Sequence, residues 1–281
     1  MNLLHVVILA VVQGLAELLP VSSSAHVIVV EKLLGLDPTT PAATLLLVML
    51  HTGTMLAVIF YFWRAWKKSF FASRAVFVQQ AARLLAATAL TATVGMPLKW
   101  GIERLAGKDE IEMLFGNLGL MAAALTAGGV LIIVAGLTER RMARDREVGL
   151  GAAAWMGAVQ GLCLPFRGFS RSGATISTGL LLGAVKARVE EFSFALAVIL
   201  TPAVVHREVG RLIKAQHEAG SPGVTWGLFA PSLLGMVLAF LAGLLALRWL
   251  SRWLEGGRWY LFGVYCLLAA AAVLALYSRG L

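Results

Sequence analysis

Charge is scarce in this chain: 14% of its 281 residues are Asp, Glu, Lys or Arg, where a soluble domain carries about a quarter. With 59% hydrophobic residues and a mean hydropathy of +0.82, a soluble globular protein is excluded. So is a disordered chain, which needs low hydrophobicity. The weakly hydrophobic, alternating strands of a membrane β-barrel are missing as well. Only two cysteines occur, Cys163 and Cys266, both in apolar stretches, with no disulfide framework, CxxC pair or metal cluster. No GxxxxGK[ST] is present, so drive by ATP is not expected. None of the five histidines opens an HxxxD, which argues against a lipid phosphatase with a histidine nucleophile. No Lys or Arg precedes the apolar run Leu3–Leu19, so it lacks a secretory n-region and is expected to stay in the mature protein. What remains is an all-α polytopic membrane protein.

The excess of 24 basic over 15 acidic residues and the pI near 10.1 then read as loop charges that set topology. Membrane lipids are the expected surroundings and no nucleic-acid partner is expected. Five stretches are long enough to cross about 30 Å of hydrocarbon: Ala43–Trp63, Leu84–Trp100, Met113–Leu137, Thr225–Leu247 and Trp259–Tyr277. Val189–Val205 is a shorter, more polar sixth. Trp63, Trp66, Trp100 and Trp259 near span ends fit an interfacial aromatic belt.

Two further apolar runs, Leu3–Pro20 and Leu150–Pro165, each end in proline and open into a polar segment of small residues. Gln13-Gly14-Leu15 of the first recurs as Gln160-Gly161-Leu162 of the second, 147 residues on. Leu56-Ala57-Val58 recurs as Leu196-Ala197-Val198, 140 residues on. Offsets near half the length predict two homologous halves, residues 1–140 and 148–281, within a single membrane domain. Serine-rich backbone is tolerated at membrane depth only inside protein or beside a watery cavity. Both broken runs, about 3–34 and about 150–184, are therefore read as re-entrant hairpins. Each half then crosses three times, so the two are inverted repeats, with six transmembrane helices in all. Fourteen basic residues fall on one side and eight on the other, which puts the first side in the cytoplasm and both termini outside.

The first hairpin holds Gln13, Glu17, Ser22, Ser23, Ser24 and His26 within fourteen residues. Gln13 and Glu17 share a helix face at i, i+4; Pro20 ends that helix, and His26 is expected to start the returning one. A carboxylate at membrane depth marks function by default, and hydroxyl, imidazole and carboxylate are the parts of nucleophilic catalysis. Against that stands capping by Ser22 and Ser24. The second hairpin supplies Ser170, Arg171, Ser172, Gly173 and Thr175. A guanidinium fork suits phosphate oxygens. Gly168 and Gly173 let backbone amides approach closely, and a helix starting near Ala174 would aim its positive end at an anion. The bland alternative is a structural ion pair between Arg171 and Glu17. His51 reads as structural rather than functional, His206, Arg207 and Glu208 as the mouth of a span, and His217 and Glu218 as a solvated loop.

The run Gln-Gly-Leu-Ala-Glu-Leu-Leu-Pro-Val-Ser-Ser-Ser-Ala-His at 13–26, with Gly-Phe-Ser-Arg-Ser-Gly-Ala-Thr-Ile-Ser at 168–177, resembles the undecaprenyl-diphosphate phosphatases of the bacitracin-resistance type. Glu191-Phe-Ser-Phe and the basic loop after Trp63 extend the resemblance along most of the chain. The resemblance implies a multi-pass enzyme of the bacterial inner membrane. It would hydrolyse undecaprenyl diphosphate to the carrier-lipid monophosphate used in cell-wall synthesis, at a site facing the periplasm. It carries catalytic roles to Glu17, Ser23, His26 and Arg171. Ser23 is the nucleophile, Arg171 the phosphate clamp, and Glu17 and His26 the acid–base or metal-assisting groups. Gln13, Ser22, Ser24, Ser170, Ser172, Gly173 and Thr175 line the substrate. The family depends on a divalent cation, Mg2+ or Ca2+, for which Glu17 is the expected ligand; a homodimer is left open. Ala25 stands where the family usually has glycine, which is expected to restrict the turn, and Arg167 where it has proline, adding a cation beside the pocket. The rival is a polyprenyl-phosphate transporter using the same inverted-repeat site.

Overall fold

In a computed structural model the chain is described over residues 2–38, 40–106, 117–139, 146–218 and 226–279. Lys108, residues 113–116 of the third expected span, Arg140, Arg141, Arg144 and Thr225 lie outside the described residues. The described elements are helices: α1 Leu3–Leu18, α2 Ser23–Leu33, α3 Pro41–Ser69, α4 Arg74–Ala106, α5 Leu118–Glu139, α6 Leu150–Cys163, α7 Arg171–Leu181, α8 Lys186–Glu218, α9 Trp226–Glu255 and α10 Tyr260–Ser278. Strand-like pairing among the described residues is limited to an isolated bridge between Arg146 and Ala184. The protein is a helical, multi-pass membrane protein. Five helices (α3, α4, α5, α9 and α10) are long and apolar enough to cross a bilayer. The expected sixth crossing, Val189–Val205, lies within α8, which has 33 residues and is not among those five.

The hydrophobic runs locate these helices but not their ends. The run 84–100 is the middle of α4, which continues through Pro97. Pro97 is placed inside the helix rather than at its end, a tolerance common in membrane helices, and a Lys99–Glu103 pair at 3.5 Å follows it. Local caps set other starts. Thr40 Oγ1 accepts from Ala43 N–H at 3.3 Å, with Pro41 at the first helical position of α3.

Helix contacts are made by small residues, as expected where lipid removes the usual hydrophobic drive for association. α5 and α10 cross at Gly129 and Gly263: a Cβ on Gly263 would lie 2.5 Å from Gly129 O, and one on Gly129 would lie 2.9 Å from Gly263 O. Gly14 of α1 sits equally close to Ala239 and Ala242 of α9, and Gly161 of α6 to Thr91 and Gly95 of α4. The motif's repeated glycines thus perform the same task against two different helices. Large apolar side chains such as Phe60, Leu85 and Leu268 cover the outside, each more than 60% exposed.

Trp63 and Trp100 are exposed, as an aromatic belt requires, and the belt reading is corrected for Trp66 and Trp259, which are buried. Their indole N–H groups have internal acceptors: Glu191 O at 3.1 Å and Ser177 Oγ at 3.0 Å. A polar knot fastens the start of α8 to its neighbours. Glu191 accepts from Ser69 Oγ at 2.6 Å and from Arg188, while Glu190 accepts from Ser251 Oγ at 2.5 Å, itself reached by Tyr61.

Candidate active site

α1 and α6 are 16 and 14 residues long, about 24 Å and 21 Å at 1.5 Å per residue. Each is shorter than the roughly 30 Å of a bilayer core and packs against the helix that follows it, α1 against α2 and α6 against α7. At the first turn Ser22 takes φ 69°, ψ 95°, a left-handed conformation that costs a serine about 1–3 kcal/mol and persists where the surroundings enforce it. α2 therefore begins at Ser23, three residues before the expected start at His26. Ser22 makes no side-chain cap; its Oγ lies 3.3 Å from Ser24 Oγ. At the second turn Gly168 has φ 105°, where a Cβ would meet Met121 O at 2.5 Å. Capping, expected of Ser22 and Ser24, is found here instead, at Ser170. Ser170 Oγ accepts from Gly173 N–H at 3.2 Å, and α7 starts at Arg171 rather than near Ala174. Gly173 N–H is thereby engaged within the chain.

The two turns meet at one carboxylate. Glu17 Oε2 accepts from Ser23 Oγ at 2.6 Å and from Gln13 Nε2 at 3.1 Å. Glu17 Oε1 accepts from Arg171 Nη2 at 3.2 Å. The i, i+4 spacing of Gln13 and Glu17 does place them side by side. The ion pair weighed as an alternative exists, but it leaves half of the guanidinium available: Arg171 Nη1 is buried with no hydrogen-bond partner among the described residues. A buried, unanswered N–H beside a hydroxyl and a carboxylate is a place for an anionic oxygen. The Arg171 and Glu17 side chains are 23% and 18% exposed, so the cluster is sheltered yet reachable.

The remaining expected residues flank this centre. Ser172 Oγ donates to Leu19 O at 3.4 Å and lies 3.4 Å from Ser170 Oγ, repeating the Ser22–Ser24 pair of the other turn. Thr175 Oγ1 donates to Arg171 O at 2.9 Å and lies 2.6 Å from Ser193 Oγ. His26 differs most from expectation. Its Nδ1 is 2.8 Å from Ser22 O and its Nε2 is 2.8 Å from Tyr265 OH, so neither nitrogen is bonded to Ser23 or Glu17. Ala25 is buried inside α2, among Leu118 and Met121. The substitution of glycine there disturbs no turn, because the turn ends at Ser22. Arg167 lies near Glu31 of α2.

Three residues beside the site were not singled out for function in the sequence. Tyr265 and Ser193 belong to distant helices; Ser193 stood within the quoted Glu-Phe-Ser-Phe, and Tyr265 is a polar aromatic inside an apolar span. His51, read as structural, lies near Glu17. Its Nδ1 is tied to Leu47 O at 3.0 Å.

No group of three or more His, Cys, Asp or Glu side chains gathers among the described residues. One carboxylate, already shared by Arg171 and Ser23, does not make a cage for a resident metal. It fits an ion of the Mg2+ or Ca2+ kind only if phosphate oxygens and waters complete the shell.

The family described as bacitracin resistance protein BacA matches residues 6–272. The chain is 58% identical over 282 residues to undecaprenyl-diphosphatase 2 of Acinetobacter baylyi, covering 98% of both chains. It is 35% identical to the undecaprenyl-diphosphatase of Rhodopirellula baltica over 99% of each. With undecaprenyl-diphosphatase 1 of Burkholderia pseudomallei it shares 36% identity over 96% of this chain and 95% of that one.

Proposed function

From the premise that this chain belongs to the BacA family and is an undecaprenyl-diphosphatase, we propose that it hydrolyses the terminal phosphate through Ser23, Glu17 and Arg171. The 2.6 Å hydrogen bond from Ser23 Oγ to Glu17 Oε2 carries this reading. A carboxylate that already accepts the hydroxyl's proton in the resting state is in place to take it as the oxygen attacks.

Ser23 Oγ attacks the terminal phosphorus in line; the bond to the bridging oxygen breaks and undecaprenyl phosphate leaves. The serine proton passes to Glu17, which releases it to the leaving phosphate. Water then attacks the phosphoserine, giving its proton to Glu17, and Ser23 Oγ departs with a proton returned by Glu17. Arg171 Nη1 meets the negative charge that spreads over the phosphoryl oxygens in both steps. Charge stabilisation preset in a sheltered site is worth more than the same contact in water. Gln13 holds Glu17 in place. Ser22, Ser24, Ser170 and Ser172 are hydroxyls within reach of the phosphates, and Thr175 supports the backbone of Arg171. A Mg2+ or Ca2+ ion arriving with the diphosphate would take Glu17 as its protein ligand and neutralise phosphate charge.

The finer architecture belongs to the same proposal. The halves are inverted repeats with six crossings and two re-entrant hairpins, α1–α2 and α6–α7. If α1 and α6 enter from opposite faces, their combined length of about 45 Å exceeds the roughly 30 Å core. Their tips must then overlap, which is how Glu17 reaches Arg171. Loop charges would put the basic ends of α3 and α9 in the cytoplasm, and the resemblance to the family implies a site that opens to the periplasm of the inner membrane. A transporter needs charge complementarity but no nucleophile, and nothing favours it over hydrolysis.

The test is single-turnover trapping with terminally labelled undecaprenyl diphosphate. Label on Ser23 in wild type, absent in Ser23→Ala with turnover lost, is expected. Substantial turnover by a folded Ser23→Ala protein overturns the nucleophile and leaves direct attack by water.

A further inference from the structure

His26 and Tyr265 stand 239 residues apart in sequence and face to face in the fold. Their rings stack with centroids 5.6 Å apart and planes inclined by 13°, and the hydroxyl lies 2.8 Å from Nε2. The other ring nitrogen, Nδ1, is 2.8 Å from Ser22 O. A carbonyl oxygen accepts and never donates, so Nδ1 carries the proton. In the neutral ring Nε2 is then an acceptor, and the tyrosine donates to it. Stack and hydrogen bond fix both the plane of the imidazole and its tautomer.

Tyr265 is not explained by a place in the interfacial belt. It lies in the second turn of α10 rather than at its end, and although 46% exposed it turns its hydroxyl onto His26. Nothing in packing requires that hydroxyl, because a phenylalanine ring would stack as well. The backbone on the other side is unusual too: Ser22 O, which holds Nδ1, belongs to the left-handed residue at the turn. His26 is thus gripped between a strained turn and a tyrosine, three residues after Ser23 at the start of α2.

Resting on the phosphatase reading, we infer that Tyr265 is a positioning residue for the reaction, acting through His26 by holding it in the Nδ1–H tautomer with Nε2 aimed at the flank of the site. His26 in that state presents an acceptor and no charge. It takes no proton from Ser23; it orients whatever donor replaces the tyrosine hydroxyl, a phosphate-bound proton or a water, as the lipid diphosphate settles beside α2. Tyr265 itself touches no reacting atom.

The experiment is a double-mutant cycle on the purified full-length protein: wild type, Tyr265→Phe, His26→Ala and the double variant, assayed for phosphate release from undecaprenyl diphosphate. Tyr265→Phe is expected to lower kcat about tenfold with KM within about twofold, the effect of losing one hydrogen bond. In the His26→Ala background it is expected to do nothing further. Nitrogen NMR on protein labelled at histidine, with the His26 signal identified by its loss in His26→Ala, should show an acceptor-type Nε2 in wild type. Tyr265→Phe should show a mixture of tautomers. Losses that multiply in the double variant, or an unchanged tautomer in Tyr265→Phe, overturn the inference. Phosphate release by the wild type is read separately, so its failure would count against the phosphatase reading and not against the pair.

Discussion

Ser23 and Arg171 occupy the first residue of α2 and of α7, and each binds a different oxygen of the same carboxylate, Glu17. The two polar turns therefore form one site. Neither turn has a carboxylate to spare, since Glu17 serves both.

This sharing predicts the behaviour of Glu17→Gln. The amide keeps a carbonyl oxygen for Ser23 but loses the basicity and the charge that faces Arg171. Turnover of undecaprenyl diphosphate is expected to fall by about 10²–10⁴-fold, the range for loss of a general base, with KM changed far less. A decrease below tenfold would remove Glu17 from the proton-transfer role.

Arg171→Lys separates charge from geometry. Lysine restores the positive charge but has no planar fork, so it cannot hold Glu17 with one nitrogen and offer another to phosphate. Arg171→Ala is expected to cost on the order of a hundredfold in kcat, and Arg171→Lys to recover only part of it. Full recovery in the lysine variant would show that charge alone suffices and that the unpaired Nη1 is incidental.

Much of this site was legible from residue types at membrane depth. Gln13, Glu17, the serines and Arg171 stood out because each is expensive in lipid, and Pro20 and Pro165 marked where the helices break. Starting points were less legible. α2 begins at Ser23 because Ser22 adopts a left-handed backbone, a conformation that the local propensity of serine does not announce. The partner of His26 was not legible at all, since it lies on the last helix, and nothing in the sequence near His26 points there. Burial of Trp66 and Trp259 was hidden for a similar reason. An indole near a span end reads as interfacial until its N–H acquires a partner such as Ser177.

The Gly129–Gly263 crossing makes a prediction about assembly of the bundle. A methyl on Gly263 would sit 2.5 Å from Gly129 O, so α5 and α10 must separate. Gly263→Ala is expected to destabilise by about 1–3 kcal/mol, read as a lowered thermal midpoint in detergent. Gly101→Ala is the control: no atom lies within 4 Å of its added Cβ, and in a helix the change should be neutral or stabilising by about 0.4–1 kcal/mol. Equal midpoints for the two variants would mean the helices can part at little cost.

The support beneath Arg171 can be tested without touching the chemistry. Thr175 is fully buried and Ser193 is 1% exposed; their hydroxyls lie 2.6 Å apart, tying α7 to α8, and Thr175 also donates to Arg171 O. Thr175→Val preserves shape but strands the Ser193 hydroxyl in an apolar setting, at a cost of about 1–3 kcal/mol. Removing both hydroxyls, in Thr175→Val with Ser193→Ala, eliminates the stranded group and should recover part of that loss. Activity is expected to follow a different course. The Arg171 carbonyl loses its side-chain donor in every variant lacking Thr175, so kcat should stay reduced in the double variant even as its midpoint rises. Stability and turnover recovering together would show that the threonine only packs; stability recovering alone identifies it as the residue that sets the first turn of α7.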